Sequence, residues 1–301
     1  MRTFNQEVRL RTLETCGVSL SIKREDKIHP LVSGNKYRKL KYNLRKAQRL
    51  RHKTLLTFGG AFSNHIVATA CAGKEEGFTT IGVIRGDELE DQWEQNPTLK
   101  LAASYGMQFH FVSRESYRDK EKNHLSAWLR EKFGPYYFLP EGGSNSLAIQ
   151  GCEEILTDDD THFDVIAAAV GTGGTLAGLI NSSRSHQQIL GFSALKGDFL
   201  KKDIRKFAVK SNWEVVNDYH FGGYAKVTSE LIAFINDFKK GTGIPLDPIY
   251  TGKMVFGLLD MVKKGRIKAN TCVLAIHTGG LQGIFGMNRV LRKKNLPLID
   301  V

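Results

Sequence analysis

Three short stretches place reactive or hydrogen-bonding side chains where an extended run gives way to a helix. In LVSGNKYRKLKYNL, residues 31–44, Lys36 follows Ser-Gly-Asn at the entry to a basic helix. Cations belong at the other end of a helix, because the first-turn N–H groups carry partial positive charge. Cationic neighbours crowd Lys36 as well, which disfavours its ammonium form and lowers its pKa, the state a lysine needs to attack a carbonyl carbon. In AVGTGGTLAGL, residues 169–179, an apolar run ends at Val170 and the small residues Gly171, Thr172, Gly173, Gly174 and Thr175 lead into a helix that begins near Gly174. Glycines let several N–H groups converge, and the helix end adds positive charge, so this stretch forms an anion cup suited to one phosphate monoester. It is not a P-loop, since no GxxxxGK[ST] occurs, and Leu176 stands where a dinucleotide fingerprint needs its third glycine. The plain alternative is a strand-to-helix turn with no ligand. In TFGGAFSNHIVATA, residues 57–70, Ser63 is placed as an N-cap, with Asn64 and His65 opening the helix. Free N–H groups beside a capping serine suit a carboxylate as well as they suit the helix itself. No GxSxG surrounds Ser63, which excludes a hydrolase nucleophile elbow.

A phosphate cup, a carboxylate cup and an activated lysine together describe a site for pyridoxal 5'-phosphate and an amino acid. The elements that must position them follow from the apolar pattern. Residues Thr54–Phe58, Thr80–Ile84, Gln108–Val112, Asp164–Val170, Ile189–Leu195 and Thr271–His277 read as strands, and Trp213 as the start of another. Helical stretches lie between them, at Asn64–Gly77, Pro97–Tyr105, Arg118–Phe133 and Gly252–Lys264. Near-continuous apolar strands alternating with helices are the pattern of an α/β protein whose parallel sheet is covered on both faces. In the helix after Lys36, Tyr37, Leu40, Leu44 and Ala47 share one face, and the charges are expected on the others. The expected organisation is two-lobed, with residues 48–145 as a smaller α/β domain and residues 1–47 and 146–301 as a larger one that holds the cofactor.

The whole chain narrows the function classes. Its 301 residues can bury a large core, and 41% hydrophobic with 25% charged residues is ordinary for a globular protein. The opening MRTFNQEVRLRTLE has no apolar run of the signal-peptide kind, and no stretch reaches membrane-spanning length. Cys16, Cys71, Cys152 and Cys272 form no CxxC pair, which points to reduced thiols, no structural metal and a cytoplasmic location. The formal net charge of +12 comes from scattered lysines and arginines without interleaved aromatic residues, so it reads as solvated surface rather than a nucleic-acid or membrane footprint. His277 at a strand end reads as a packed or hydrogen-bonded histidine, Glu141 as a loop closure that lies near the expected cofactor cleft, and Trp93 and Trp128 as surface cover.

Seven motifs in order then carry a resemblance: SGNKYRKL, GGAFSNH, LPEGGSNSLAIQG, GTGGTLAG, DYHFGGYA, DPIYTGKM and HTGGLQGIFG. The chain resembles the pyridoxal phosphate enzymes of the tryptophan synthase β-like fold (fold type II), and within them the 1-aminocyclopropane-1-carboxylate deaminase and D-cysteine desulfhydrase family. The resemblance implies that Lys36 is the Schiff-base lysine, that Asn64 lies beside the cofactor's ring hydroxyl, and that Gly171 to Thr175 hold its phosphate. It implies that Ser63, with Asn64 and His65, receives the substrate, that Tyr224 and Tyr250 handle substrate and protons, and that Thr278 faces the pyridine nitrogen. Thr251 stands in YTGK where the deaminases have a glutamate at that nitrogen, and His65 stands where they have glutamine. A neutral hydroxyl suits β-elimination better than opening of a cyclopropane ring. The expected activity is therefore elimination on a small amino acid, D-cysteine first, giving pyruvate, hydrogen sulfide and ammonia. Ring-opening deamination or elimination on another D-amino acid is the alternative, and a non-catalytic pyridoxal phosphate-binding protein is the alternative of another class. A homodimer is expected from the resemblance alone.

Overall fold

A strand buried on both faces needs apolar residues at every position, and the central strands here have them. In the computed structural model, which describes residues 3–119 and 123–300, the run Val165–Val170 is buried throughout. Val165, Ala167 and Ala169 pack into one cluster, while Ile166, Ala168 and Val170 pack into another on the opposite face. Val273 and Ala275 join the first cluster and Leu274 and Ile276 the second, so the same alternation continues on the neighbouring strand. Each fully buried Leu or Ile contributes roughly 1.5–3 kcal/mol relative to an exposed one.

Among the described residues, ten strands form two sheets. They are β1 (Asn5–Val8), β2 (Ser19–Lys23), β3 (Thr54–Gly60), β4 (Thr79–Arg85), β5 (Gln108–Val112), β6 (Tyr137–Leu139), β7 (Val165–Val170), β8 (Gln188–Ser193), β9 (Trp213–Val216) and β10 (Cys272–Ile276). The larger sheet has the order β1-β2-β10-β7-β8-β9, and only the β1–β2 pairing is antiparallel. The smaller has the order β5-β4-β3-β6 and is wholly parallel. Two mostly parallel sheets flanked by helices are the α/β architecture that the apolar pattern implied. Expected and observed strands differ by at most two residues at either end. Of the stretch 118–133, residues 120–122 lie outside the described residues; on either side are the helices Arg114–Arg118 and Asn123–Phe133. Among the described residues no helix is long and apolar enough to cross a membrane, and no group of acidic, histidine and cysteine side chains could hold a metal ion.

The helix Asn35–Arg49 carries Lys36, and its burial departs from the one-faced pattern. Besides Leu40, Leu44 and Ala47, it buries Arg38, Lys39 and Asn43. Arg38 forks onto buried Glu25 with both nitrogen–oxygen distances at 2.9 Å, and Asn43 pairs with Asn145. A second, polar face is thus paired instead of solvated, because the helix Ser146–Glu153 lies against it. That contact is close: a Cβ on Gly151 would fall 1.9 Å from the Arg38 carbonyl oxygen. Gly151→Ala is expected to cost about 3 kcal/mol of stability, read as a lower urea midpoint at an unchanged slope. It should also loosen cofactor retention by displacing the Lys36 helix.

Candidate active site

The cleft opens beyond the carboxyl ends of β3, β7 and β10, where parallel α/β sheets bind ligands. Lys36, Ser63, Asn64, His65, the 171–175 loop, Tyr224, Tyr250 and Thr278 all line it or lie in its wall. Thr251 does not; it is fully buried behind the wall. Its hydroxyl donates to Asp247 Oδ1 at 2.7 Å and accepts from the Asp247 N–H at 2.9 Å.

Lys36 sits in the first turn of its helix, preceded by Gly34 at φ 62°. That left-handed residue is obligatory as glycine, since a Cβ would fall 2.0 Å from the Thr278 carbonyl oxygen. The backbone of the Lys36 turn is thereby seated on the end of β10. Lys36 Nζ donates to Asn35 Oδ1 at 3.0 Å, and Asn35 Nδ2 donates to Thr175 Oγ1 at 2.8 Å. Asn35 therefore ties the lysine to the glycine loop. Although Lys36 is partly open to the cleft, its pKa is pushed down to about 7, first by burial of the ammonium and second by the charge of Lys39. A large fraction is a free amine at neutral pH.

Lys39 lies one turn further on and is almost wholly buried. Its Nζ donates to the Gly142 carbonyl at 2.9 Å and to Ser144 Oγ at 3.1 Å, with Thr172 Oγ1 at 3.4 Å. A Cβ on Gly174 would come within 3.4 Å of that nitrogen. The glycine loop thus has a cation under it as well as a helix N-terminus, a combination that suits a phosphate dianion. Gly173 supplies the turn at φ 82°, and a Cβ on Gly171 would press on the Tyr250 ring at 3.1 Å.

On the facing wall, Ser63 Oγ caps the helix Asn64–Glu75 by accepting from His65 N–H at 3.3 Å. The side-chain oxygen of Asn64, Oδ1, is buried with no hydrogen-bond partner. On a residue that lines the cleft, an orphaned acceptor of this kind is what a ligand hydroxyl would satisfy. His65 is buried, its Nε2 2.9 Å from Thr57 Oγ1, and burial holds its pKa well below the ordinary value. It enters the cleft wall as a neutral ring.

Tyr224 and Tyr250 meet edge to face with ring centroids 6.3 Å apart, Tyr224 at the mouth and Tyr250 deeper. Burial raises both phenol pKa values, that of Tyr250 well above the ordinary value. Both therefore stay protonated and act as donors. Tyr250 is held from below: Asp247 Oδ2 accepts from the N–H groups of Ile249 and Tyr250, both at 2.9 Å. His277 has its Nε2 2.7 Å from the Pro245 carbonyl oxygen, while Nδ1 accepts from Gly279 N–H, so it is a satisfied buried ring.

Lys39, Asn35, Asp247 and the cleft-lining Gln282 are among the residues that reading the sequence left unassigned. For Lys39 a signal existed, three residues from Lys36 on the same helix face. Among the described residues lining the cleft none is a carboxylate. Lys39 and the two protonated tyrosines are groups that could donate to an anion there.

Comparison with known proteins shows the family to which the chain belongs. A family model described as pyridoxal-phosphate dependent enzyme matches residues 5–279. A Thermotoga maritima protein, provisionally named a 1-aminocyclopropane-1-carboxylate deaminase, is 34% identical over 93% of this chain and 95% of its own. The mitochondrial bifunctional D-cysteine desulfhydrase/1-aminocyclopropane-1-carboxylate deaminase of Arabidopsis thaliana is 31% identical over 89% of this chain and 74% of its own. The crystal structure of an ACC deaminase homologue superposes with a TM-score of 0.83 at 28% identity, covering 97% of this chain and 94% of that one.

Proposed function

Starting from the chain's membership of the pyridoxal-phosphate dependent enzyme family, we propose that it is a β-eliminating lyase acting on a small amino acid, D-cysteine first. The observation that carries this reading is the convergence on one cleft of a lysine held near neutrality, a cation-backed glycine loop and a capped helix N-terminus. Lys36 would anchor the cofactor, the 171–175 backbone with Lys39 would hold its phosphate, and Asn64 its ring hydroxyl. Thr278, at the end of β10, is assigned to the pyridine nitrogen. When bound, pyridoxal phosphate supplies an electron sink for charge developing at the substrate α-carbon. Ser63 and the N–H groups behind it receive the substrate carboxylate, beside the wall formed by Asn64 and His65. With both phenols held protonated, Lys36 is the group able to take the α-proton, and Tyr250 or Tyr224 can give a proton to the departing sulfur. Hydrogen sulfide leaves, and the remaining unsaturated amine takes up one water, so the products are hydrogen sulfide, pyruvate and ammonia.

Elimination is favoured over opening of 1-aminocyclopropane-1-carboxylate by the lack of a carboxylate among the described lining residues, Glu141 standing beside the cleft near the tyrosines and not in its lining. Asp247 lies behind the wall with its oxygens already accepting from Ile249, Tyr250 and Thr251. A neutral threonine hydroxyl at the pyridine nitrogen leaves a shallower sink, enough to expel sulfide. The reading includes a division into lobes at about residues 48 and 145, a homodimer, and a cytoplasmic setting in keeping with four free cysteines; light scattering of the purified enzyme tests the dimer. The activity is tested by visible absorption before and after separate additions of D-cysteine, L-cysteine and 1-aminocyclopropane-1-carboxylate, with pyruvate and 2-oxobutyrate measured. A spectral change and pyruvate with D-cysteine alone are expected. 2-Oxobutyrate from the cyclopropane substrate, with no response to D-cysteine, would replace elimination with ring opening.

A further inference from the structure

The loop that displays Tyr224 is strained. Phe221, Gly222, Gly223 and Ala225 all have positive φ, at 52°, 91°, 111° and 56°, and two of these are not glycine. Such a run persists only where surrounding contacts over-determine it. Besides the loop's own hydrogen bonds and its packing against Lys196, those contacts come from one face of the helix Thr251–Lys263. Lys253, Phe256 and Asp260 are spaced three and four apart and therefore stack along that face. Asp260 accepts from the Tyr219 hydroxyl at 2.7 Å, and Phe256 meets the Phe221 ring edge to face at 5.0 Å. Lys253 Nζ donates to the carbonyls of His220 and Gly223, both at 2.8 Å.

Lys253 is 2% exposed and, among the described residues, has no carboxylate within ion-pair distance. A buried ammonium satisfied only by carbonyls is costly, and burial pushes its pKa down to about 8. An apolar side chain would fill the space without that penalty but would remove the one group that joins the two carbonyls, leaving each with a single backbone donor within the loop, Gly223 N–H on His220 at 3.0 Å and Lys226 N–H on Gly223 at 3.2 Å. The same helix begins next to Tyr250, so one rigid element sets both tyrosines.

We infer that Lys253 is a positioning residue for the reaction: by bridging the His220 and Gly223 carbonyls it holds the left-handed loop so that Tyr224 stands against Tyr250 at the cleft. The inference rests on the role given to Tyr224 under the proposed function, and it adds a residue that does not line the cleft.

The test compares Lys253→Met, Tyr224→Phe and the double variant, each as holoenzyme. Lys253→Met is expected to lower kcat by about 10- to 100-fold, with KM and cofactor absorbance unchanged. The double variant should be no slower than the slower single one, because both changes remove the same contribution. Lys253→Gln, which keeps an amide donor, should lose less. Independently of activity, amide hydrogen exchange across residues 221–226 should quicken in Lys253→Met while the helix Thr251–Lys263 stays protected. Multiplicative losses, full activity of Tyr224→Phe beside a slow Lys253→Met, or unchanged exchange in the loop would each overturn the inference. If the wild-type enzyme turned over none of the amino acids supplied, the proposed function would fail while the exchange experiment still decided the clamp.

Discussion

Lys36→Ala is expected to lower turnover by on the order of 10⁴-fold with the protein still folded. The variant should also lose the visible absorbance of covalently held cofactor. Lys36 makes one side-chain hydrogen bond, to Asn35, so its removal takes little from the fold. On the proposed reading it takes both the anchoring amine and the base from the reaction, and neither tyrosine would substitute, because burial keeps both phenols protonated. Added methylamine should restore part of the rate by supplying a free amine in the space vacated. In the wild-type enzyme, attachment of the cofactor should speed up as pH rises through about 7, since the neutral amine is the nucleophile and the ammonium is inert. A Lys36→Ala enzyme that still released hydrogen sulfide at a tenth of the normal rate would refute the assignment.

Much of this site was legible because its parts lie at junctions with strong local signals. Ser63 and the 171–175 loop each join an apolar strand to a helix through small residues; β7 ends with its apolar run at Val170, and β3 runs on through Gly59 and Gly60 past Phe58. β1, β2 and β6 carry no comparable signal. NQEV and SLSIK mix polar with apolar positions, and YFL is three residues long. These strands exist through pairing with partners far away in the chain, β2 with β10 and β6 with β3, which no local window contains.

The charges of the Lys36 helix were illegible for a related reason. A lysine in a basic helix looks solvated until the segment that covers it is known, and Gly142, Ser144 and Thr172 cover Lys39 from more than a hundred residues away. Thr251 shows the converse. Its position in YTGK ties it to chemistry, yet its hydroxyl and N–H both bond to Asp247, four residues earlier. In the structure that threonine helps to close the start of the helix carrying Lys253, and so acts on the cleft through Tyr250 instead of lining it.

Lys39→Met should weaken cofactor binding about 100-fold (~3 kcal/mol) without weakening the apoprotein. The side chains are close in length, so packing is largely kept, and the loss falls on the charge under the glycine loop. In the apoprotein that charge is a buried ammonium, disfavoured enough for burial to lower its pKa. Replacing it with an apolar side chain removes that penalty and offsets the three hydrogen bonds given up, so the apoprotein Tm should stay level or rise. A phosphate reverses the balance, because a dianion in the loop would gain most from a fixed cation beside it. The substitution has a second consequence at Lys36, whose pKa is lowered by Lys39 as well as by burial. With Lys39 neutralised the Lys36 pKa must rise, and the pH midpoint for cofactor attachment should move upward with it. Weaker binding together with an upward-shifted midpoint would place Lys39 in both roles, while weaker binding with an unmoved midpoint would confine it to the phosphate.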